Sequence, residues 1–301
     1  MQHLTESSVT ERVLERISDC PDPRLKQVMT ALIEHLHEFA REVALTPEEW
    51  KAGIDFLTAA GHVTDEKRQE FILLSDTLGL SALVDIVQNR SRSGEATESS
   101  LLGPFYRRGA PELPLGASIA GDTPGEPILV HGRVRSADGK LLAGALLDVW
   151  QAAPNGLYDL QDENQPEMNL RGRFRTDQSG RFRFRSVKPS SYPIPFDGPV
   201  GAMLRALGRH PYRPAHIHFI VTAPGYEDLI TALYIAGDPY LDSDAVFGSR
   251  ESLVVGYRPG DGKESGAPYR EAIEYDFVLA PAAETAAAVS GDHPQTGGRS
   301  V

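Results

Sequence analysis

Cysteine is almost missing from this chain: Cys20 is the single one in 301 residues. No disulfide can form within the chain, and the composition fits a reducing compartment. No apolar run approaches the length of a membrane span. Met1 to Thr10 is polar and has no signal-peptide core, so the expected location is the cytoplasm. Positive charge is in deficit: 30 Lys and Arg stand against 42 Asp and Glu, a formal net charge of −12. That balance argues against nucleic acid and against an anionic membrane as partners. Internal repeats are missing as well. What remains is ordinary for a soluble globular protein, with 41% hydrophobic and 24% charged residues. The length allows one large domain or two modest ones.

The first third reads as helix. Leu25, Val28, Met29, Leu32, Ile33, Leu36, Phe39 and Val43 recur at three- and four-residue steps and form one apolar face. Thr46-Pro47-Glu48-Glu49 is a helix start, with a capping threonine, proline at the first helical position and Glu49 closing a capping box. That helix is expected to reach Gly61 as its C-terminal glycine. A third helical stretch runs from about Thr64 through Phe71, Leu74 and Leu83 to Gln88, with Gly79 placed to break it in two.

Residues 91–127 read as a linker followed by a loop, Leu101-Leu102-Gly103-Pro104-Phe105-Tyr106. From Ile128 onward, short apolar alternations separated by turns replace the helical period. Val130–Val134 runs into the turn Ala137-Asp138-Gly139-Lys140, and 172–176 and 181–187 flank Asp177-Gln178-Ser179-Gly180. Both read as hairpins. Further strands are expected at 145–150, 216–222, 231–236, 252–257 and 275–279. The expected fold is mainly β, a β-sandwich core over 128–280, with an α-helical N-terminal region over 1–90 and a disordered tail over 281–301.

Three stretches carry chemistry. In Arg213-Pro214-Ala215-His216-Ile217-His218-Phe219, a strand puts His216 and His218 on one face and Ile217 and Phe219 on the other. Two imidazoles about 7 Å apart along a strand can converge on one metal. Pro189-Ser190-Ser191-Tyr192-Pro193-Ile194-Pro195 holds a tyrosine in a proline-stiffened segment that cannot be a central strand. Asp148-Val149-Trp150-Gln151-Ala152-Ala153-Pro154-Asn155-Gly156-Leu157-Tyr158-Asp159 is a strand entering a turn, with a tyrosine beyond it. A histidine pair alone also suits a zinc hydrolase, although catalytic zinc usually takes three His or carboxylate ligands plus water. The stretch 132–145 is similar to a transthyretin-like module, which binds or displays rather than catalyses.

Taken in order, D-V-W-Q-A-x-P-x-G-x-Y-D, Y-P-I-P and R-P-A-H-I-H resemble the intradiol ring-cleaving dioxygenases over most of the chain, about residues 25–279. The resemblance implies one Fe(III) per chain, with Tyr158, Tyr192, His216 and His218 as its ligands. Anionic phenolate oxygens favour the ferric state, in contrast to the two-histidine, one-carboxylate sites of Fe(II) oxygenases. It implies a catechol-type substrate and O2, with cleavage between the two adjacent hydroxyls. Tyr192 is then the ligand that yields to the substrate and takes a proton, and Arg213 stabilises developing charge, so both count as catalytic. An arginine three residues before His216 points away from the ligand face on an ideal strand, so its place in the pocket follows from the resemblance and from a bend at Pro214. The same comparison implies that Leu73, Asp76, Leu101, Leu102, Gly103, Pro104, Phe105, Ile194, Pro195, Arg213 and Val246 bind the substrate.

Asp76 is the informative wall residue. A carboxylate among apolar groups needs a partner, and a third ring hydroxyl supplies one. With Leu101–Tyr106 and Asp244–Gly248, it gives the sequence its likeness to the hydroxyquinol branch, whose product is 3-hydroxy-cis,cis-muconate, the enol of maleylacetate. Catechol and chlorocatechol remain the alternative substrates. The resemblance further implies a homodimer through the N-terminal helices, with a lipid bound between the subunits.

Overall fold

The computed structural model describes residues 3–65, 68–89, 94–260 and 269–282. It divides into two compact units, one ending at His62 and the other beginning at Val63. The boundary expected near residue 90 therefore falls earlier, and the last two N-terminal helices belong with the sheets.

The first unit holds α1 (Val9–Arg16), α2 (Pro23–Glu42) and α3 (Pro47–His62). Asp22 starts α2: its carboxylate accepts the N–H groups of Arg24 at 2.8 Å and Leu25 at 3.0 Å. The capping box of α3 is closed, with Thr46 Oγ1 accepting from Glu49 N at 3.2 Å and Glu49 Oε2 from Thr46 N at 2.9 Å. Gly61 does not end that helix, which continues through His62. No residue of α2 is buried, and Leu25, Val28, Leu32, Leu36 and Phe39 are all exposed.

In the second unit, α4 (Glu70–Thr77) and α5 (Leu80–Asn89) are parted by Gly79, whose φ of 76° an L side chain rarely adopts. Buried Glu70 ties α4 to α6 (Pro199–Ala206) by accepting the backbone N–H of Val200 at 3.0 Å.

One sheet contains β3 (Arg171–Arg175), β2 (Leu146–Trp150), β7 (His216–Thr222), β8 (Leu229–Ile235) and β9 (Val254–Val255), in that order. The other is built on β1 (Pro127–Ser136). It pairs antiparallel with β4 (Arg181–Val187) on one side and parallel with β11 (Glu271–Glu274) and then β12 (Phe277–Leu279) on the other. β10 (Arg258–Pro259) borders β11, and β5 (Tyr192–Pro193) pairs with β6 (Tyr212–Arg213) apart from both sheets.

The turn at 137–140 closes a short hairpin, with Arg135 and Leu141 as an antiparallel bridge, but neither expected turn joins two strands of one sheet. Ser136 N–H meets Lys140 C=O at 2.9 Å, yet β2 crosses to the opposite sheet. The turn at 177–180 closes too, but β3 and β4 also lie in different sheets. Turn chemistry reverses the chain locally and does not choose the sheet the next strand joins. Core packing makes that choice. Phe174 of β3 stacks on Phe184 of β4 across the sandwich at 5.1 Å between ring centroids. Leu147, Val149, Ile217, Phe219 and Val221 fill the same core with Ile128, Val130 and Phe182. Of the tail expected over 281–301, Pro281 bridges to Tyr226 and Ala282 N–H meets the Gly225 carbonyl at 3.0 Å, so these two are held, and the rest, from 283 on, lies outside the described residues.

Candidate metal centre

The β7 alternation sends Ile217, Phe219 and Val221 into the sandwich core and turns His216 and His218 to the opposite face, where they too are buried. Register supplies their neighbours. Trp150 of β2 lies opposite His218, and Tyr234 of β8 lies opposite His216. After β2, the Pro-Asn-Gly turn closes through Gly156 N–H on Ala153 C=O at 2.8 Å and delivers Tyr158 to this face. The β5–β6 pair delivers Tyr192, in register with Arg213.

The four side chains named from the sequence come together. His216 Nε2 and His218 Nε2 are 3.0 Å apart, the Tyr158 and Tyr192 hydroxyls 3.5 Å, and the Tyr192 and His216 ring centroids 5.6 Å. None of the four is more than 2% exposed.

Burial, reinforced by nearby Arg213, pushes the His216 pKa down to about 3. Burial also takes His218 well below its ordinary value, helped by His216. Both imidazoles are therefore neutral, the form that ligates metals. His216 Nδ1 donates to the Pro214 carbonyl at 2.7 Å, which leaves its lone pair on Nε2, facing the site. Burial, together with neighbouring Tyr192, raises the Tyr158 phenol well above its usual value. A strongly charged cation reverses that by favouring the phenolate. Among the described residues, no group of three or more His, Cys, Asp or Glu side chains is placed to hold a metal. The side-chain oxygens beside the two histidines are those of Tyr158 and Tyr192, and two neutral nitrogens with two phenolates would fit a ferric ion.

Arg213 ends β6, and Pro214-Ala215 separates it from β7, so strand alternation does not carry through and its side chain reaches the site. Its Nη1 lies 3.3 Å from His216 Nε2. Nε donates to Asp244 Oδ1 at 3.1 Å and Nη2 to Asp244 Oδ2 at 3.3 Å. Burial opposes the Arg213 charge, but Asp244 outweighs it and the guanidinium stays protonated. Nη2 also reaches the Tyr234 hydroxyl at 3.3 Å, which contacts Ser100 Oγ at 2.8 Å.

A small cavity opens beside these groups. Leu73 and Asp76 enter it from α4, and Leu101, Gly103, Pro104 and Phe105 from the loop before β1. Tyr192, Ile194, Pro195, Arg213 and Val246 complete the wall. Leu102 is not part of it: the loop turns its side chain outward, 36% exposed. Gly103 has φ 72°, and a Cβ there would stand 3.5 Å from His218 Nε2. Asp76 is 7% exposed, and burial raises its carboxyl pKa despite a hydrogen bond from Ser81.

Comparison with known proteins gives the family. A family model described as Dioxygenase matches residues 102–281, and one described as Catechol dioxygenase N terminus matches 22–96. The chain belongs to the intradiol ring-cleavage dioxygenases. A 6-chlorohydroxyquinol 1,2-dioxygenase of Cupriavidus pinatubonensis is 50% identical, over 93% of this chain and 99% of its own. A hydroxyquinol 1,2-dioxygenase of Rhizobium sp. is 48% identical, over 92% and 96%. The crystal structure of hydroxyquinol 1,2-dioxygenase from Pseudomonas putida superposes with a TM-score of 0.87 at 48% identity, covering 92% of this chain and 99% of that one.

The contacts of several residues of this dioxygenase site are not readable from sequence, even where the residue lies in a quoted motif. Asp244 sits far from Arg213 in sequence, and only the return of the 241–250 segment brings them together. Tyr234 is readable only once the β7–β8 register is known. Beneath Tyr158, the Asp159 carboxylate binds Arg171 at 2.5 and 2.8 Å and Arg107 at 2.8 Å, and the Arg171 guanidinium lies 5.9 Å from the Tyr158 ring centroid.

Proposed function

We propose that this dioxygenase opens the ring of hydroxyquinol, 1,2,4-trihydroxybenzene, between its adjacent hydroxyls, at one ferric ion per chain held by Tyr158, Tyr192, His216 and His218. The product is 3-hydroxy-cis,cis-muconate, the enol of maleylacetate. Both atoms of O2 enter it, and no external reductant is consumed. The observation that carries the substrate reading is Asp76, a buried carboxylate in a wall made largely of Leu73, Leu101, Phe105, Ile194 and Val246. An apolar catechol leaves it without a substrate partner. A third ring hydroxyl donates to it.

The bound metal would supply a strong Lewis acid that draws electron density from the ring. The chain supplies the rest. Of the two tyrosines, Tyr192 borders the cavity and Tyr158 does not, so the Tyr192 oxygen, as the phenolate that a bound ferric ion would favour, would accept a proton from an entering substrate hydroxyl and become the neutral phenol. Arg213, charged and anchored on Asp244, presents a fixed cation beside His216, where negative charge accumulates during ring attack. Leu73, Phe105 and Val246 keep water from the reacting carbons and strengthen these interactions.

The alternative substrate is catechol or a chlorocatechol, which the same four donors would serve. Oxygen uptake by the iron-loaded protein decides between them. Hydroxyquinol is expected to be consumed with matching uptake of O2, at a much higher kcat/KM than catechol. Stoichiometric zinc, or full activity without metal, would defeat the reading.

The exposed apolar stripe on α2 supports a homodimer joined through the N-terminal helices, and the acyl chain of a lipid fits the same surface. The unpaired Cys20 and the absence, among the described residues, of a helix able to cross a membrane fit a cytoplasmic location.

A further inference from the structure

The two histidines are not supported alike. A metal-bound imidazole commonly donates its remote N–H to a carbonyl or carboxylate, which fixes the ring and strengthens the donor nitrogen. His216 follows that rule through Pro214. His218 does not: its Nδ1 is buried and has no hydrogen-bond partner. What holds its ring is a stack. Trp150 lies over it at 4.8 Å between centroids and 5° between planes. The pairing is built into the sheet, because Trp150 and His218 are opposed residues of β2 and β7. On the other flank the register partner is Ala232, which offers a methyl group alone. Trp150 is itself fixed by Tyr106, whose ring centroid is 4.9 Å away and whose hydroxyl donates to Asp148 at 3.1 Å. The indole Nε1–H is also buried without a partner, so nothing anchors Trp150 in that direction except packing.

We propose that Trp150 is the positioning residue of His218, holding the imidazole plane by stacking where His216 is held by a hydrogen bond. The two nitrogen donors are then unequal. His216 is the stronger and more fixed, and His218 is the weaker, with its hold on the metal set by the indole. The inference rests on the ferric reading above.

The test uses the full chain loaded with Fe(III). Parent, Trp150→Phe, Trp150→Leu and Trp150→Met are compared for iron release to a ferric chelator and for the tyrosinate charge-transfer band, with melting of the metal-free proteins as a control for folding. Loss of an outer support typically costs about 10–100-fold in metal affinity. Trp150→Phe, which keeps a ring, is expected to release iron within about twofold of the parent. Leu and Met, which fill space without a ring, are expected to release it at least about tenfold faster and to shift the band. Equal release from all four proteins, or Phe no better than Met, would overturn the proposal.

A measurement on the parent guards against variants that do not fold. With gallium(III) as a diamagnetic stand-in, the His218 ring protons should show the upfield shift of a nucleus above an indole, and its absence would overturn the proposal equally. A parent that binds no iron would instead defeat the ferric reading.

Discussion

Substituting Asp76 separates the enzyme class from its substrate preference. The carboxylate is 7% exposed and lies in the cavity with Leu73, Ile194 and Val246. A hydrogen bond to a charged group in such a place contributes about 1.5–3 kcal/mol. At about 1.4 kcal/mol per factor of ten, that is about 10- to 150-fold in the ratio of kcat/KM for hydroxyquinol over catechol. Asp76→Ala removes the acceptor and is expected to lower the ratio by that factor, mainly through loss of hydroxyquinol turnover. Asp76→Asn keeps an acceptor oxygen without the charge and is expected to fall between. The assay is steady-state oxygen uptake on both substrates, normalised to bound iron so that metal loss is not read as lost specificity. A parent that uses the two substrates equally would sink the hydroxyquinol assignment. A preference that survives both substitutions unchanged would leave the class standing and remove Asp76 as its cause.

The same residue has a cost in stability. Burial raises its carboxyl pKa, so between the ordinary carboxyl value of about 4 and the raised one the folded chain holds the proton more tightly than the unfolded chain, and stability falls as pH rises through that window. Metal-free Asp76→Asn is therefore expected to be more stable than the parent in neutral urea titrations, with the margin closing on acidification; a margin independent of pH would contradict this. Asp244→Asn leaves the buried Arg213 charge unbalanced and should cost about 3–5 kcal/mol in a denaturant titration, and a loss under about 1 kcal/mol would show that the pair is not what holds Arg213. Leu32→Glu with Leu36→Glu, both on the exposed stripe of α2, should convert the proposed dimer to monomer by sedimentation, whereas a parent already monomeric at micromolar concentration would refute that proposal.

Local pattern was enough for the parts of this protein whose chemistry is local. Apolar steps of three and four residues marked the helices, and Thr46 with Glu49 placed the start of α3 to the residue. The alternation of His216, Ile217, His218 and Phe219 put two imidazoles on one face without any knowledge of the sheet. The ordered motifs picked out Tyr158 and Tyr192, and the structure brings both to that face.

Whatever depended on residues distant in sequence was decided only in three dimensions. Two well-formed turns implied hairpins, and the strands went to opposite sheets because the aromatic core, with Phe174 on Phe184, is satisfied that way. Leu102 was grouped with its loop neighbours, and the backbone turned it outward. Asp244 meets Arg213, and Trp150 meets His218, through tertiary approach and strand register. Strand period put the two histidines on one face, and the ordered motifs named the two tyrosines by resemblance, because residue type and period are local properties. The charge states, supports and cavity wall of these four side chains depend on burial and register, which exist only in the folded chain.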